Sequence, residues 1–308
     1  MNGESSRSSE STTRPTPGTN LPSLTGLRWW LAIIVFGVHF SETANCMSAS
    51  TDLPAACGVM NAGFGLGFVV MACFFVLSGF VLTWVAPPRE TARRFWQRRF
   101  AKVYPLLLLG FVVDLVIRLL TGNVASVPVL LVNLFLLQTW WPDAFMALQV
   151  NPVAWSLSCE AFFYLCFPLI HGYLSRMGDR ALRWLFVGLM FWPALMVLVA
   201  SAAGSSDHGD LLYFFAPTRI SEFVLGIIAG LLFRRGAWRG FRVGGVLALT
   251  VVAYFACFAV AIFLSPAAPA LGAVLAPLFT LLIVSLARAD ATGGWSPMRG
   301  SFTMKMGM

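Results

Sequence analysis

Arg28 and His39 stand 11 residues apart in the apolar run Gly26-Leu27-Arg28-Trp29-Trp30-Leu31-Ala32-Ile33-Ile34-Val35-Phe36-Gly37-Val38-His39-Phe40. On an α-helix that spacing is roughly 20° past three full turns, so both side chains leave on one face, about 16 Å apart. That is around half the thickness of a bilayer's hydrocarbon core. Hydrocarbon penalises ionisable groups, so a pair kept on one stripe marks a functional site by default. An imidazole exchanges protons near neutral pH, which suits general-base chemistry on a hydroxyl. Two plainer readings stay open: a buried neutral histidine held by one hydrogen bond, and an arginine that snorkels to a membrane boundary.

Glu160 is the second candidate, in Asn151-Pro152-Val153-Ala154-Trp155-Ser156-Leu157-Ser158-Cys159-Glu160-Ala161-Phe162-Phe163-Tyr164. A carboxylate about two turns into an apolar helix must be protonated, paired or wet. It could orient His39, stabilise its protonated form, or belong to a structural ion pair. Arg219 and Glu222, at i,i+3 in Pro217-Thr218-Arg219-Ile220-Ser221-Glu222-Phe223-Val224-Leu225-Gly226, read first as a local salt bridge at a helix start. Asp114 and Arg118 at i,i+4 read the same way. Ser78 and Gly79 form a small pair inside Phe74-Phe75-Val76-Leu77-Ser78-Gly79-Phe80, which suits close helix packing. Gly-x-Ser-x-Gly and Walker loops are absent. His39, His171 and His208 have no Cys or His at i+3 or i+4, so no metal site is expected.

These residues need membrane helices to hold them. The 308 residues are 58% hydrophobic and 11% charged, far below the roughly 25% charged of a soluble domain. Apolar segments fall at about Leu27–Ser41, Phe64–Val85, Tyr104–Leu120, Val153–Tyr173, Trp184–Ala203, Pro217–Phe233, Val243–Leu264 and Pro269–Leu286. The expected fold is an all-α polytopic transmembrane helical bundle of about eight or nine spanning helices. Val127–Trp141 is marginal in length and reads better as a re-entrant or interfacial element.

The formal charge of +8 does not point to nucleic acid, because it is sided. Arg89, Arg93, Arg94, Arg98, Arg99 and Lys102 share one loop with a single acid, Glu90. Arg176, Arg180 and Arg183 cluster in the next basic loop, and Arg234, Arg235, Arg239 and Arg242 in the one after. The remaining loops carry Glu42, Asp52, Asp143, Asp207 and Asp210 and no Lys or Arg. This is positive-inside asymmetry. It predicts a multi-pass protein with a cytoplasmic amino terminus and cytoplasmic basic loops, and the expected location is the cell membrane, plasma or inner. Residues 1–22, rich in Ser, Thr, Pro and Gly, read as a disordered cytoplasmic tail; 23–290 form the transmembrane domain; 291–308 are a carboxy-terminal tail. Cys73, Cys159, Cys166 and Cys257 read as inert packing residues, while Cys46 and Cys57 flank an acidic loop where a disulfide is open.

In order along the chain, five strings resemble the acyltransferase 3 family of integral membrane acyltransferases. Arg28 and His39 match its Arg-x10-His. Phe74 to Phe80 match Phe-Phe-x-Leu-Ser-Gly-Phe. Arg98-Arg99-Phe100-Ala101-Lys102-Val103-Tyr104-Pro105 resembles its basic pre-helix motif. Trp155 to Glu160 match Trp-Ser-Leu-x-x-Glu, and Arg219 to Gly226 match Arg-x-x-Glu-Phe-x-x-Gly. The resemblance implies transfer of an acyl group, often acetyl, to a hydroxyl of a carbohydrate or small-molecule acceptor. Acyl-CoA is the implied co-substrate, with no permanently bound cofactor. Arg93, Arg94, Arg98, Arg99 and Lys102 would hold coenzyme A phosphates. Arg28 would face the donor. His39 would take the acceptor's proton or relay the acyl group, with Glu160 supporting it. Lys102 stands where the family often has arginine and lacks the bidentate fork. Family members usually continue through a further helix where this chain reads Lys305-Met306-Gly307-Met308. The alternative readings are therefore a non-catalytic truncated remnant, or a small-molecule transporter with charged residues lining its path.

Overall fold

The computed structural model describes residues 19–43, 57, 67–204, 208–238, 240–263 and 271–300. Among them the chain is all-helical, with no strand. Helix α1 spans Pro22–Thr43, α2 Gly67–Val85, α3 Ala92–Thr121, α4 Val127–Leu134, α5 Ala144–Leu148 and α6 Trp155–Leu174. The order continues with α7 Asp179–Leu189, α8 Trp192–Ala202, α9 His208–Tyr213, α10 Ala216–Arg234, α11 Val243–Phe263 and α12 Leu271–Thr292, then a 3-10 turn at Pro297–Arg299.

Among the described residues, five stretches are long and apolar enough to cross a bilayer, and α7 with α8 makes a sixth if that pair, bent by 48°, counts as one span. Most of α2 and α11 qualify only as shorter apolar helices, so length and composition among the described residues do not confirm the expected eight or nine spans. The bend between α7 and α8 falls where Pro193, in the first turn of α8, has no N–H to continue the ladder.

One local expectation is corrected. The basic stretch before Tyr104 is not a loop: α3 starts at Ala92 and runs 30 residues, about 45 Å, through Arg93 to Lys102 and past Pro105. Thr91 caps it by accepting from Arg94 N at 3.4 Å, and the following Arg, Gln, Ala and Lys are good helix formers. The segment at 127–141 holds only the eight-residue α4, about 12 Å long, and then turns back. Its turn is pinned inside the bundle. Ser158 donates to Leu136 O at 2.6 Å, Gln138 donates to Ala154 O at 3.2 Å, and Ala216 N donates to Thr139 O at 2.9 Å.

The core sits on α2 and α10, which form the most extensive helix pair. Buried α10 runs almost without interruption from Thr218 to Phe233. Glycines make that approach possible: a Cβ on Gly79 would strike Phe223 O, and one on Gly226 would strike Val76 O. In lipid, where apolar burial does not drive helices together, such small-residue contact is the main source of packing. Around this pair, α2 also packs on α12, α1 and α6, while α3 reaches the bundle chiefly through α6. Helix α3 buries only Phe95 and Leu107 and turns most of its other leucines and valines outward to lipid.

All basic loops gather at one end. Arg234 donates to Thr83 O at 2.7 Å, Arg235 to Met177 O and Asp179 Oδ1, both at 2.8 Å, Arg183 to Ala237 O at 3.0 Å, and Arg288 to Gly240 O at 3.3 Å. Residues 291–300 close over the start of α1, where Ser23 Oγ donates to Asp290 Oδ1 at 2.6 Å and Arg299 pairs with the same carboxylate. Residues 1–18, Cys46, Asp52, Asp207, Arg239 and 301–308 lie outside the described residues; Cys57 is buried and disulfide-bonded.

Candidate functional site

Helix α1 buries Leu24, Leu27, Leu31 and Val38 against the bundle. One helical step of 100° round from Leu27 and Val38 lie Arg28 and His39, both half-buried on the same flank. Neither belongs to the lipid-facing side, which carries Trp30, Phe36 and Phe40. The shared face expected from their spacing is therefore present, and it borders the protein interior.

Glu160 meets that flank at the level of Arg28. The Tyr164 hydroxyl, one turn along α6, donates to Glu160 Oε2 at 2.8 Å, and Ser78 of α2 hydrogen-bonds the same tyrosine. Arg28, Arg99 and Lys102 all lie within electrostatic reach of the Glu160 carboxylate. Four helices thus contribute to one polar cluster: α1, α2, α3 and α6. Three cations around one carboxylate leave it with net positive surroundings, suited to an anionic ligand. His39 stands three turns further along α1.

The basic residues of α3 divide by direction. Arg99 turns inward, its guanidinium 5.7 Å from the Phe95 ring centre and 6.0 Å from that of Tyr164. Its Nε is buried with no hydrogen-bond partner. Arg98 pairs with Glu90. Arg93, Arg94 and Lys102 are exposed. Trp96 fixes α3 to α6 by donating to Tyr164 O at 3.0 Å, and Phe95 stacks on Phe167 with centres 4.9 Å apart. Those contacts aim Arg99 at the cluster.

Arg219 and Glu222 form an ion pair at 3.1 Å with only 1% of each residue exposed. The guanidinium lies 5.2 Å from the Phe75 ring centre and 5.7 Å from that of Tyr213, and a Cβ on Gly272 would come within 3.4 Å of it. The pair is the local i,i+3 bridge expected at the start of α10, and, being buried, it also ties α10 to α2, α9 and α12. Buried pairs are costly to break one-sidedly. Arg219→Met alone is expected to lower stability by about 3–5 kcal/mol by stranding Glu222, and Arg219→Met with Glu222→Leu to recover most of it. Thermal unfolding in detergent reads both. Asp114 and Arg118 pair at 2.6 Å, as their i,i+4 spacing predicts.

Tyr164, one turn after Glu160, is the member of the cluster with no motif of its own in the sequence. The i,i+4 spacing was the available signal.

The profile of the acyltransferase domain family matches residues 21–303. The chain belongs to that family. It is 33% identical over 315 residues to the acyltransferase MdmB of Streptomyces mycarofaciens, covering 93% of this chain and 75% of that protein. It is 27% identical over 187 residues to the O-acetyltransferase OatA of Staphylococcus aureus, covering 53% of this chain but only 29% of that much longer protein. No solved structure matches the chain. The protein is a multi-pass membrane acyltransferase, and the polar cluster lies inside the matched region.

Proposed function

We propose that this acyltransferase moves an acyl group, often acetyl, from acyl-CoA to a hydroxyl of a carbohydrate or small-molecule acceptor, with its basic end and amino terminus in the cytoplasm. The observation that carries the reading is the convergence of Arg28, Arg99 and Lys102 on the Tyr164-bound Glu160, inside the bundle. A thioester donor bearing phosphates needs fixed cations near the mouth and a protected interior for its acyl end. The exposed Arg93 and Arg94 suit the phosphates, with Arg98 held back by Glu90. Arg99 and Arg28 suit the inner end of the donor. The sidedness of the loop charges supports the cytoplasmic orientation.

In the chemical step the acceptor oxygen bonds to the thioester carbonyl carbon and the C–S bond breaks. The acceptor's proton passes to His39, and the departing thiolate takes up a proton. Glu160 offsets the cationic surroundings and holds the Tyr164 hydroxyl in place. The O-acetyltransferase relative supports a hydroxyl acceptor.

Purified protein given radiolabelled acetyl-CoA and a panel of hydroxylated acceptors tests the reading; product must form with stoichiometric release of free CoA. Absence of CoA release with every acceptor, under conditions where the protein is folded, overturns it. Arg99→Gln is expected to raise the KM for the acyl donor by about tenfold, the scale of one lost charge-assisted hydrogen bond, with a smaller change in kcat. An unchanged donor KM would remove Arg99 from the donor site.

A further inference from the structure

A cleft lined by two arginines opens at the basic end, apart from the Glu160 cluster. A cleft of about 740 Å³ opens between residues 240–242, the first turn of α11 and the last turns of α12. Arg242 and Arg288 line it, both exposed. Among the described residues neither has a carboxylate partner; Arg288 donates only to the Gly240 carbonyl, at 3.3 Å. Gly244 and Gly245 open the start of α11 to the cleft. A Cβ on Gly245 would meet nothing within 4 Å, and one on Gly244 would meet only Trp295, at 3.9 Å. The first-turn N–H groups have no acceptor within the helix and carry the positive end of its dipole. Two unneutralised guanidiniums beside such a turn favour a phosphate oxyanion.

The surroundings say which phosphate. From Gly245 upward, Leu249, Val252 and Ala256 follow at helical spacing on one face of α11, and all are exposed. At the mouth stand the exposed Phe241 and Trp295, and tryptophan is a residue type that marks a membrane–water boundary. The cleft therefore continues into an apolar track, not into the polar cluster. Helix α11 packs on α12, whereas Arg99 and Glu160 belong to α3 and α6. We propose that this cleft is a binding site for an anionic phospholipid: Arg242, Arg288 and the start of α11 hold the headgroup phosphate, and the acyl tails lie along Leu249, Val252 and Ala256.

The test uses the full chain in detergent micelles, titrated with phosphatidylglycerol or phosphatidylcholine and read by native mass spectrometry. Wild type should retain one phosphatidylglycerol in preference to phosphatidylcholine. Arg242→Gln with Arg288→Gln should lower that preference by about tenfold or more, since each interfacial arginine contributes roughly a further factor of five. Gly245→Asp should lower it too. That variant places a carboxylate in the anion's position yet suits the helix dipole, so its melting temperature should not fall. Equal lipid retention by wild type and both variants would overturn the proposal. Displacement of the lipid by equimolar adenosine 3′,5′-bisphosphate would overturn it as well, by making the cleft a site for a soluble nucleotide.

Discussion

His39→Ala inserts into the membrane at wild-type levels and loses acyl transfer by about 10²–10⁴-fold, the usual contribution of a general base. Insertion survives because His39 lies beside, not within, the stripe of Leu24, Leu27, Leu31 and Val38 that packs α1 on its neighbours. Activity fails because an alcohol is a poor nucleophile until its proton has somewhere to go. His39→Gln separates the two properties: it keeps the size and polarity of the ring and cannot accept a proton usefully, so it should be as inactive as alanine. Membrane-fraction immunoblotting and an acetyl-CoA consumption assay, run side by side, read both quantities. A His39→Gln protein that transfers at the wild-type rate removes the imidazole from the chemistry and leaves it a role in packing.

The second large effect concerns the fold. Gly226→Leu is expected to leave little folded protein. A single Cβ at Gly226 already meets the Val76 carbonyl, backbone against backbone, and Gly79 meets Phe223 O from the other side. Neither contact can be relieved by turning a flexible side chain, so α2 and α10 must separate. Gly226→Ala should cost about 1–3 kcal/mol, the ordinary range for overpacking, and leucine more. The control is Gly172→Ala on α6, where an added Cβ meets nothing within 4 Å. Fluorescence-detected size exclusion after a heating series would show the Gly226 variants aggregating at lower temperature and the control unmoved. A Gly226→Leu protein that survives heating like wild type would contradict the close α2–α10 approach.

How much of this was legible beforehand varies by element. The apolar runs gave α1, α6, α10, α11 and α12 to within a few residues at most of their ends, except that α1 begins five residues earlier and α12 runs six residues later than the apolar runs suggest. The polar starts and ends of those two helices carry no hydropathy signal, and Arg288 and Asp290 sit in the last turns of α12. Hydropathy also concealed the amino-terminal third of α3: Arg93 to Lys102 looked like a loop because charge was read as exposure, whereas the helix there is set by Thr91 and by backbone propensity.

The shared flank of Arg28 and His39 was fixed by the sequence alone, because angular position on a helix depends only on residue separation and a constant 100° step. The loop charges likewise announced a basic end, since siding is a property of the loops in order. Tertiary structure decided what surrounds Glu160. Its neighbours Arg28, Ser78 and Arg99 come from α1, α2 and α3, between about 60 and 130 residues away in sequence, and no local period encodes which faces of distant helices meet. The same packing turned Arg99 inward and left Arg93 and Arg94 out, and it made Arg219 and Glu222 a buried tie among four helices. Those outcomes follow from how closely α2 and α10 approach at Gly79 and Gly226, a contact that exists only once both helices are in place.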